Sequence, residues 1–201
     1  MSTGQEPIRV LMFGTGALLR GLVCDLFEEA RQAGLFPGKI AALASSGSGR
    51  DQALNAQGGQ FTLCVQGLGA GGPVQAFRPN ASIASCFSAL DAWPEALALA
   101  QRPEVGIIVS NSTEIGLSYV PEDIFAQPPR SFPAKLTACL HARFHACPDH
   151  PPLILPCELL ENNGARLREA VLRHIEDQAL VPGFRQWVAE RACFADTLVD
   201  R

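Results

Sequence analysis

Apolar residues fall into two recurring patterns along the chain: short unbroken runs, and stripes at helical spacing. The runs Ile8 to Phe13, Ile40 to Ala44, Val105 to Val109 and Leu153 to Leu155 read as strands buried on both faces. Between the first two, Leu18, Leu19, Leu22, Val23, Leu26, Phe27 and Ala30 form a helical stripe that stops at Gly34, with Pro37 beyond. Phe61 to Val65 and Val74 to Phe77 read as short strands around the glycine-rich turn Gly67 to Gly72, a hairpin excursion. Ser88 with Asp91 resembles a capping box opening a helix with Leu90, Trp93, Leu97 and Ala100 on its buried side. Pro133 suits the first turn of another helix, with Leu136, Leu140 and Phe144 on one face. Asn163 precedes a helix aligned on Leu167, Val171 and Ile175, and a last helix contains Trp187.

Strands alternating with helices of crossover length predict an α/β fold: a doubly wound, mainly parallel Rossmann-type sheet with helices on both faces. Ligands of such sheets gather beyond the carboxyl ends of the strands. Three polar clusters fall there: Gly14 to Gly16, Ser110 to Glu114, and Cys157 to Asn163. In the first, a strand breaks at Gly14-Thr15-Gly16 and passes into a helix, the way a pyrophosphate seat is built. A third glycine of that motif would fall at Leu19, so a plain strand-to-helix turn competes with the phosphate reading.

Composition narrows the class. With 201 residues, 47% apolar and 18% charged, the chain has the make-up of a globular domain with a real core. No apolar run is long enough to span a bilayer, and a net charge of −4 gives no footprint for nucleic acid. No membrane and no nucleic-acid partner is expected, and the N-terminus lacks a basic-then-apolar leader. Cys24, Cys64, Cys86, Cys139, Cys147, Cys157 and Cys193 are odd in number and scattered, which predicts reduced thiols in a cytoplasmic protein. Cys139, His141, His145, Cys147, Asp149 and His150 crowd together, but the cysteines do not share a centre with the histidines and Pro148 breaks the run. The segment reads as a surface helix end, with no metal expected.

The blocks Val109 to Gly116, Ser131 to Thr137, Leu155 to Leu159, Asn163-Gly164 and Thr197 to Arg201, in this order, resemble the tagaturonate reductase (altronate oxidoreductase) branch of the mannitol dehydrogenase family of long-chain polyol dehydrogenases. Leu159, where mannitol and fructuronate enzymes have Asn, favours that branch; Asp196 departs from it, standing where Asn is usual. The resemblance implies NAD-dependent interconversion of altronate and tagaturonate, a sugar-acid substrate, and a site at the strand ends. It implies cofactor contacts from Phe13, Gly14, Gly16, Ala17 and Leu18, and from Ser110, Asn111, Ser112, Thr113 and Glu114. Ser45 and Ser46 stand where an acidic residue normally meets the cofactor ribose, and Arg50 nearby keeps NADP open beside NAD.

On the substrate side the expectation names Lys135, Glu158, Asn163 and Asp200. Lys135 is one of two lysines against fourteen arginines, and a carboxylate contact competes with an ordinary polar helix position. The family's general-base lysine belongs to a second, helical domain downstream, so no catalytic residue proper is expected here, although Asp200 stands near the substrate by resemblance. Two functions follow: half of a sugar-acid oxidoreductase, or a catalytically silent nucleotide-binding module; a mannitol- or fructuronate-type enzyme is a further variant. The face left bare by a missing domain is expected to be apolar and to favour self-association.

Overall fold

A computed structural model describes residues 6–44 and 49–198, apart from the side chains of Glu114 and Ile115. Six strands form one parallel sheet. They are β1 (Ile8–Phe13), β2 (Lys39–Ala44), β5 (Ile83–Ser88), β6 (Ile107–Ser110), β7 (Leu153–Pro156) and β8 (Cys193–Phe194), in the order β5-β2-β1-β6-β7-β8. The doubly wound fold expected from the pattern is present. Separate from this sheet, β3 (Phe61–Gly69) and β4 (Gly72–Asn80) pair as an antiparallel hairpin. The excursion is real, but its strands run through the glycines expected to form the turn, which shrinks to Ala70 and Gly71.

The helices are α1 (Cys24–Gln32), α2 (Arg50–Ala56), α3 (Trp93–Ala100), α4 (Phe132–Ala146), α5 (Asn163–Asp177) and α6 (Pro182–Glu190). The apolar runs are buried on both sides because alternate residues serve different cores. Leu11, Phe13, Ala41, Leu43, Ile108 and Ile154 pack toward α3 to α6, whereas Val10, Met12, Ile40, Ala42 and Val109 pack toward α1 and α2. Right-handed crossovers account for the split, since chains running outward in opposite directions from the sheet centre must use opposite faces. On the α1 side, the β6–β7 half of the sheet borders an apolar groove of about 340 Å³. Leu22, Leu26 and Phe27 form one wall and Val109, Leu155 and Cys157 the other.

Two expectations need correction. Ser88 ends β5 and its hydroxyl accepts from Leu90 N (3.1 Å), so it caps a turn and not a helix. The helix begins at Trp93 with a proline in its first turn; Trp93, Ala96, Leu99 and Ala100 are buried, while Leu90 is exposed. The first helix also opens with a π-helical turn, Leu19–Val23, and Leu26, in the expected buried stripe, is 56% exposed at the groove.

Buried polar groups fasten the layers. Arg143, 1% exposed, donates to the carbonyls of Ala100, Val105 and His150 (3.1 Å), tying α4 to the end of α3 and the approach to β6. Arg78 of the hairpin reaches Asp25 and Glu29 (2.7 Å) on α1, anchoring an otherwise exposed excursion. The seven cysteines are free thiols; burial pushes Cys24 and Cys139 up to about 12 and Cys86 and Cys157 up to about 11. No helix among the described residues is long and apolar enough to cross a membrane.

Candidate functional site at the strand ends

β1, β6 and β7 are neighbours in the sheet, so their carboxyl ends deliver Phe13, Ser110 and Pro156 side by side. The crossovers from β1 and β6 leave in opposite directions, and this divergence opens a crevice between them. Gly14 N donates to Leu43 O (2.8 Å) and Cys157 N to Ser110 O (2.7 Å), prolonging the ladder beyond the strands.

The β1 turn is built from backbone. Gly14 has φ +119°, a conformation that strains any side chain, and a Cβ there would lie 2.9 Å from Leu19 Cδ1, so that methyl would have to give way. Gly16 differs: a Cβ there would meet nothing within 4 Å, which leaves room for a ligand above the turn. The helical ladder starts with Arg20 N donating to Gly16 O (3.1 Å), so the N–H groups of Ala17 and Leu18, neither of them buried, precede its first bond and are available to an anion. Leu19, where the third glycine would fall, is fully buried beneath Gly14, and the π-helical turn begins there. Arg20 Nε is buried without a hydrogen-bond partner beside this helix start.

The tips of β6 and β7 are built from side chains. Glu158, 1% exposed, accepts from Ser112 N (2.8 Å), Ser112 Oγ (3.0 Å) and Ser110 Oγ (3.2 Å). Asn111 Nδ2 donates to Cys157 O (2.6 Å). Asn163, fully buried, donates from Nδ2 to Pro156 O (3.0 Å), Glu158 O (3.1 Å) and Thr197 Oγ1 (2.9 Å), and accepts at Oδ1 from Gly164 N and Thr197 N. Both ends of its amide are occupied by protein, so Asn163 positions its neighbours. Glu158 likewise spends its carboxylate on the β6 tip. A Cβ on Gly164 would strike Ala195 O at 2.5 Å, which holds α5 close to the C-terminal segment. Asp196 Oδ1 accepts from Ala165 N (3.0 Å) in the first turn of α5; the oxygen acceptor an Asn would offer is retained, with a charge that suits a helix start.

Beside these tips lies a cavity of about 420 Å³ lined by Phe13, Ser110 to Thr113, Gly116, Ser118, Val120, Arg130 to Phe132 and Lys135. Phe13 packs on Phe132 with ring centroids 5.1 Å apart, giving it an apolar floor. Lys135 is 7% exposed, not a solvent-side helix position, and its Nζ donates to Arg130 O (2.7 Å). Burial pulls its pKa below the usual lysine value, with Glu122 opposing. Among the expected residues, the cavity wall brings together Phe13, Ser110, Asn111, Ser112, Thr113 and Lys135. Gly14, Gly16, Ala17 and Leu18 lie at the adjoining turn. Glu158 and Asn163 support from behind; Leu159 is exposed. Ser45, Ser46, Asp200 and the side chain of Glu114 lie outside what the structure describes.

Sequence reasoning missed Arg130, Ser131, Phe132 and Arg20 Nε. Pro133 was a usable signal, since residues just before a helix start that faces the strand ends belong to the crevice rim. The histidine-cysteine cluster resolves into unrelated contacts. His141 and His145 face each other (Nε2 to Nε2 3.1 Å), Cys139 is buried, Cys147 Sγ donates to Gln101 O (3.1 Å) and Asp149 pairs with Arg191 (3.2 Å).

Comparison with known proteins places this geometry. A family model described as the mannitol dehydrogenase Rossmann domain matches residues 8–201. Altronate oxidoreductase of Bacillus subtilis (strain 168) is 36% identical over 204 residues, covering 98% of this chain and 42% of the relative. That of Pectobacterium carotovorum (strain PC1) is 38% identical over 207 residues, covering 98% and 41%. The chain thus spans about two fifths of the length of these relatives. Among solved structures, Pseudomonas fluorescens mannitol 2-dehydrogenase, in a ternary complex with NAD and D-mannitol, aligns over 100% of this chain and 43% of its own. The TM-score is 0.83 at 20% identity. A substrate-free D-sorbitol dehydrogenase aligns over 97% and 43%, with TM-score 0.78 and 19% identity.

Proposed function

The chain belongs to the mannitol dehydrogenase Rossmann-domain family, and on that footing we propose that it holds the nicotinamide cofactor for an NAD-dependent sugar-acid oxidoreductase that interconverts altronate and tagaturonate. The observation that carries the reading is the β1 turn. Gly14 sits at a φ that strains any side chain, Gly16 has open space above it, and the amides of Ala17 and Leu18 precede the helical ladder. Those amides bind the diphosphate, with the positive end of the helix behind them. Arg20, whose buried Nε lacks a hydrogen-bond partner, adds a positive charge one turn into the same helix.

The chemistry supplied by a bound nicotinamide is hydride exchange at the carbon bearing the secondary alcohol. Ser110 to Thr113 line the wall on which its ribose would rest, and the ties from Glu158 and Asn111 hold that wall in a fixed shape before any ligand arrives. Phe13 and Phe132 exclude water from the floor. The substrate proton is not assigned to Lys135, whose Nζ is held on the Arg130 carbonyl. Hydride transfer is assigned to the full-length arrangement of the relatives, of which this chain matches about two fifths.

NAD is preferred over NADP because the altronate oxidoreductase branch, to which the relatives belong, is the NAD-dependent one by resemblance. A fluorescence titration with NADH and NADPH tests both statements: saturable NADH binding, tighter than NADPH, is expected. Binding of neither nucleotide by folded protein would overturn the reading, and much tighter NADPH binding would reverse the cofactor preference.

A further inference from the structure

We propose that Lys135 and Arg130 form a carboxylate-binding subsite in the cavity beside the β6 tip, which selects an acidic sugar over a neutral polyol. The proposal rests on the cofactor reading above, since it places the acid next to the nicotinamide end of the crevice.

Lys135 is an expensive residue to bury, and its position is unusual in a chain with only two lysines. An ammonium carries three donors, and a single carbonyl, Arg130 O, accepts from it. The carboxylate it feels most, Glu122, is already engaged by Arg130 N (2.6 Å) and Ser131 N (2.9 Å) and makes no ion pair with the lysine. Lys135 therefore lines an open cavity with spare donors and no ion-pair partner among the described residues. Arg130 lines the same cavity, and its guanidinium makes no ion pair among the described residues. No aspartate or glutamate is among the described lining residues.

The remaining wall fits the rest of such a molecule. Hydroxyls of Ser118 and Ser131 suit a polyhydroxylated carbon chain, and the Phe13–Phe132 floor suits its C–H face. A carboxylate meeting Lys135 and Arg130 gains charge-assisted hydrogen bonds and relieves the desolvated ammonium. A neutral polyol of the same length leaves that ammonium unpaired. Discrimination therefore arises from the cost imposed on the wrong ligand as well as from contacts to the right one.

The test is calorimetry on the NADH-loaded chain with altronate, with altritol (the same carbon skeleton with its carboxylate reduced) and with inorganic phosphate. Altronate is expected to bind at least about tenfold more tightly than altritol, as loss of a charge-assisted pair implies. Lys135→Met removes that preference, and the exposed Arg130→Gln lowers it, while both variants still bind NADH saturably. Arg130→Gln keeps the test valid should Lys135→Met fold poorly. Equal binding of altronate and altritol, or a preference surviving both substitutions, overturns the subsite while NADH binding still stands. Phosphate competing as well as altronate reduces the site to one for any small anion and overturns the sugar-acid assignment. Loss of NADH binding in the wild-type chain removes the reading beneath it, a result distinct from loss of acid preference alone.

Discussion

The β1 turn and the β6–β7 tips stand next to each other, yet they are built by opposite means. At the turn, glycine, open space and unladdered amides make the site, and no side chain occupies it. At the tips, buried Glu158 and Asn163 and partly buried Asn111 spend polar atoms on neighbouring backbone and hydroxyls. A backbone-built site depends on what is absent, so damage there should appear in binding before stability. A side-chain network that is fully paired is costly to interrupt, so damage there should appear first in stability.

Substitutions can break this contrast. The largest effect is expected from Gly14→Val, which forces a β-branched residue to φ +119° and against Leu19. NADH affinity should fall by about a hundredfold, because relief of strain of order 1–3 kcal/mol moves the turn amides off their binding positions. Fluorescence titration reads it. Glu158→Ala comes next: it strands Ser112 N and two hydroxyls, and denaturant unfolding should show a loss of about 2.5 kcal/mol. Asn163→Ala, which unties Thr197 and the end of β7, should cost about 2 kcal/mol by the same measurement. Gly16→Ala sharpens the comparison from the other side, because a methyl there meets no protein atom. Stability should change by less than about 0.5 kcal/mol while NADH binding weakens, since the methyl enters the ligand's space.

The smallest effect concerns pH. His174 is fully buried with both ring nitrogens unpartnered, and burial lowers its pKa from 6.5, with Glu122 and Asp177 pulling the other way. The stability linked to its neutral form is fully present above 6.5 and is lost as pH falls through the lowered folded value. The part of the slope that His174 contributes should not exceed about 1.4 kcal/mol per pH unit, the limit for one proton. His141, also lowered by burial, acts in the same direction, so His174→Leu should flatten the profile without abolishing it.

Sequence pattern reached the sheet because buried parallel strands are unbroken apolar runs, and those survive in any reading of Ile8 to Phe13 or Leu153 to Leu155. It reached the turn because Gly14 has a local conformational reason to be glycine. It did not reach the inward orientation of Glu158 and Asn163, whose partners lie up to 48 residues away. A carboxylate at a strand end reads the same whether it faces ligand or serine. Arg130 and Phe132 join the cavity only because α4 returns over β6, a consequence of packing that no local spacing carries. The hairpin was found but mis-sized, since Gly67, Gly69 and Gly72 read as turn residues and are held in strands by cross-strand pairing.

The central claim is that the β1 turn binds a dinucleotide through its backbone, and backbone-amide NMR during an NADH titration tests it most directly. Saturable shifts concentrated at Gly14 to Leu19, with a second set at Ser110 to Thr113, are the predicted result. A titration that leaves the amides from Gly14 to Leu19 unmoved while NADH binds elsewhere, or does not bind at all, would contradict it.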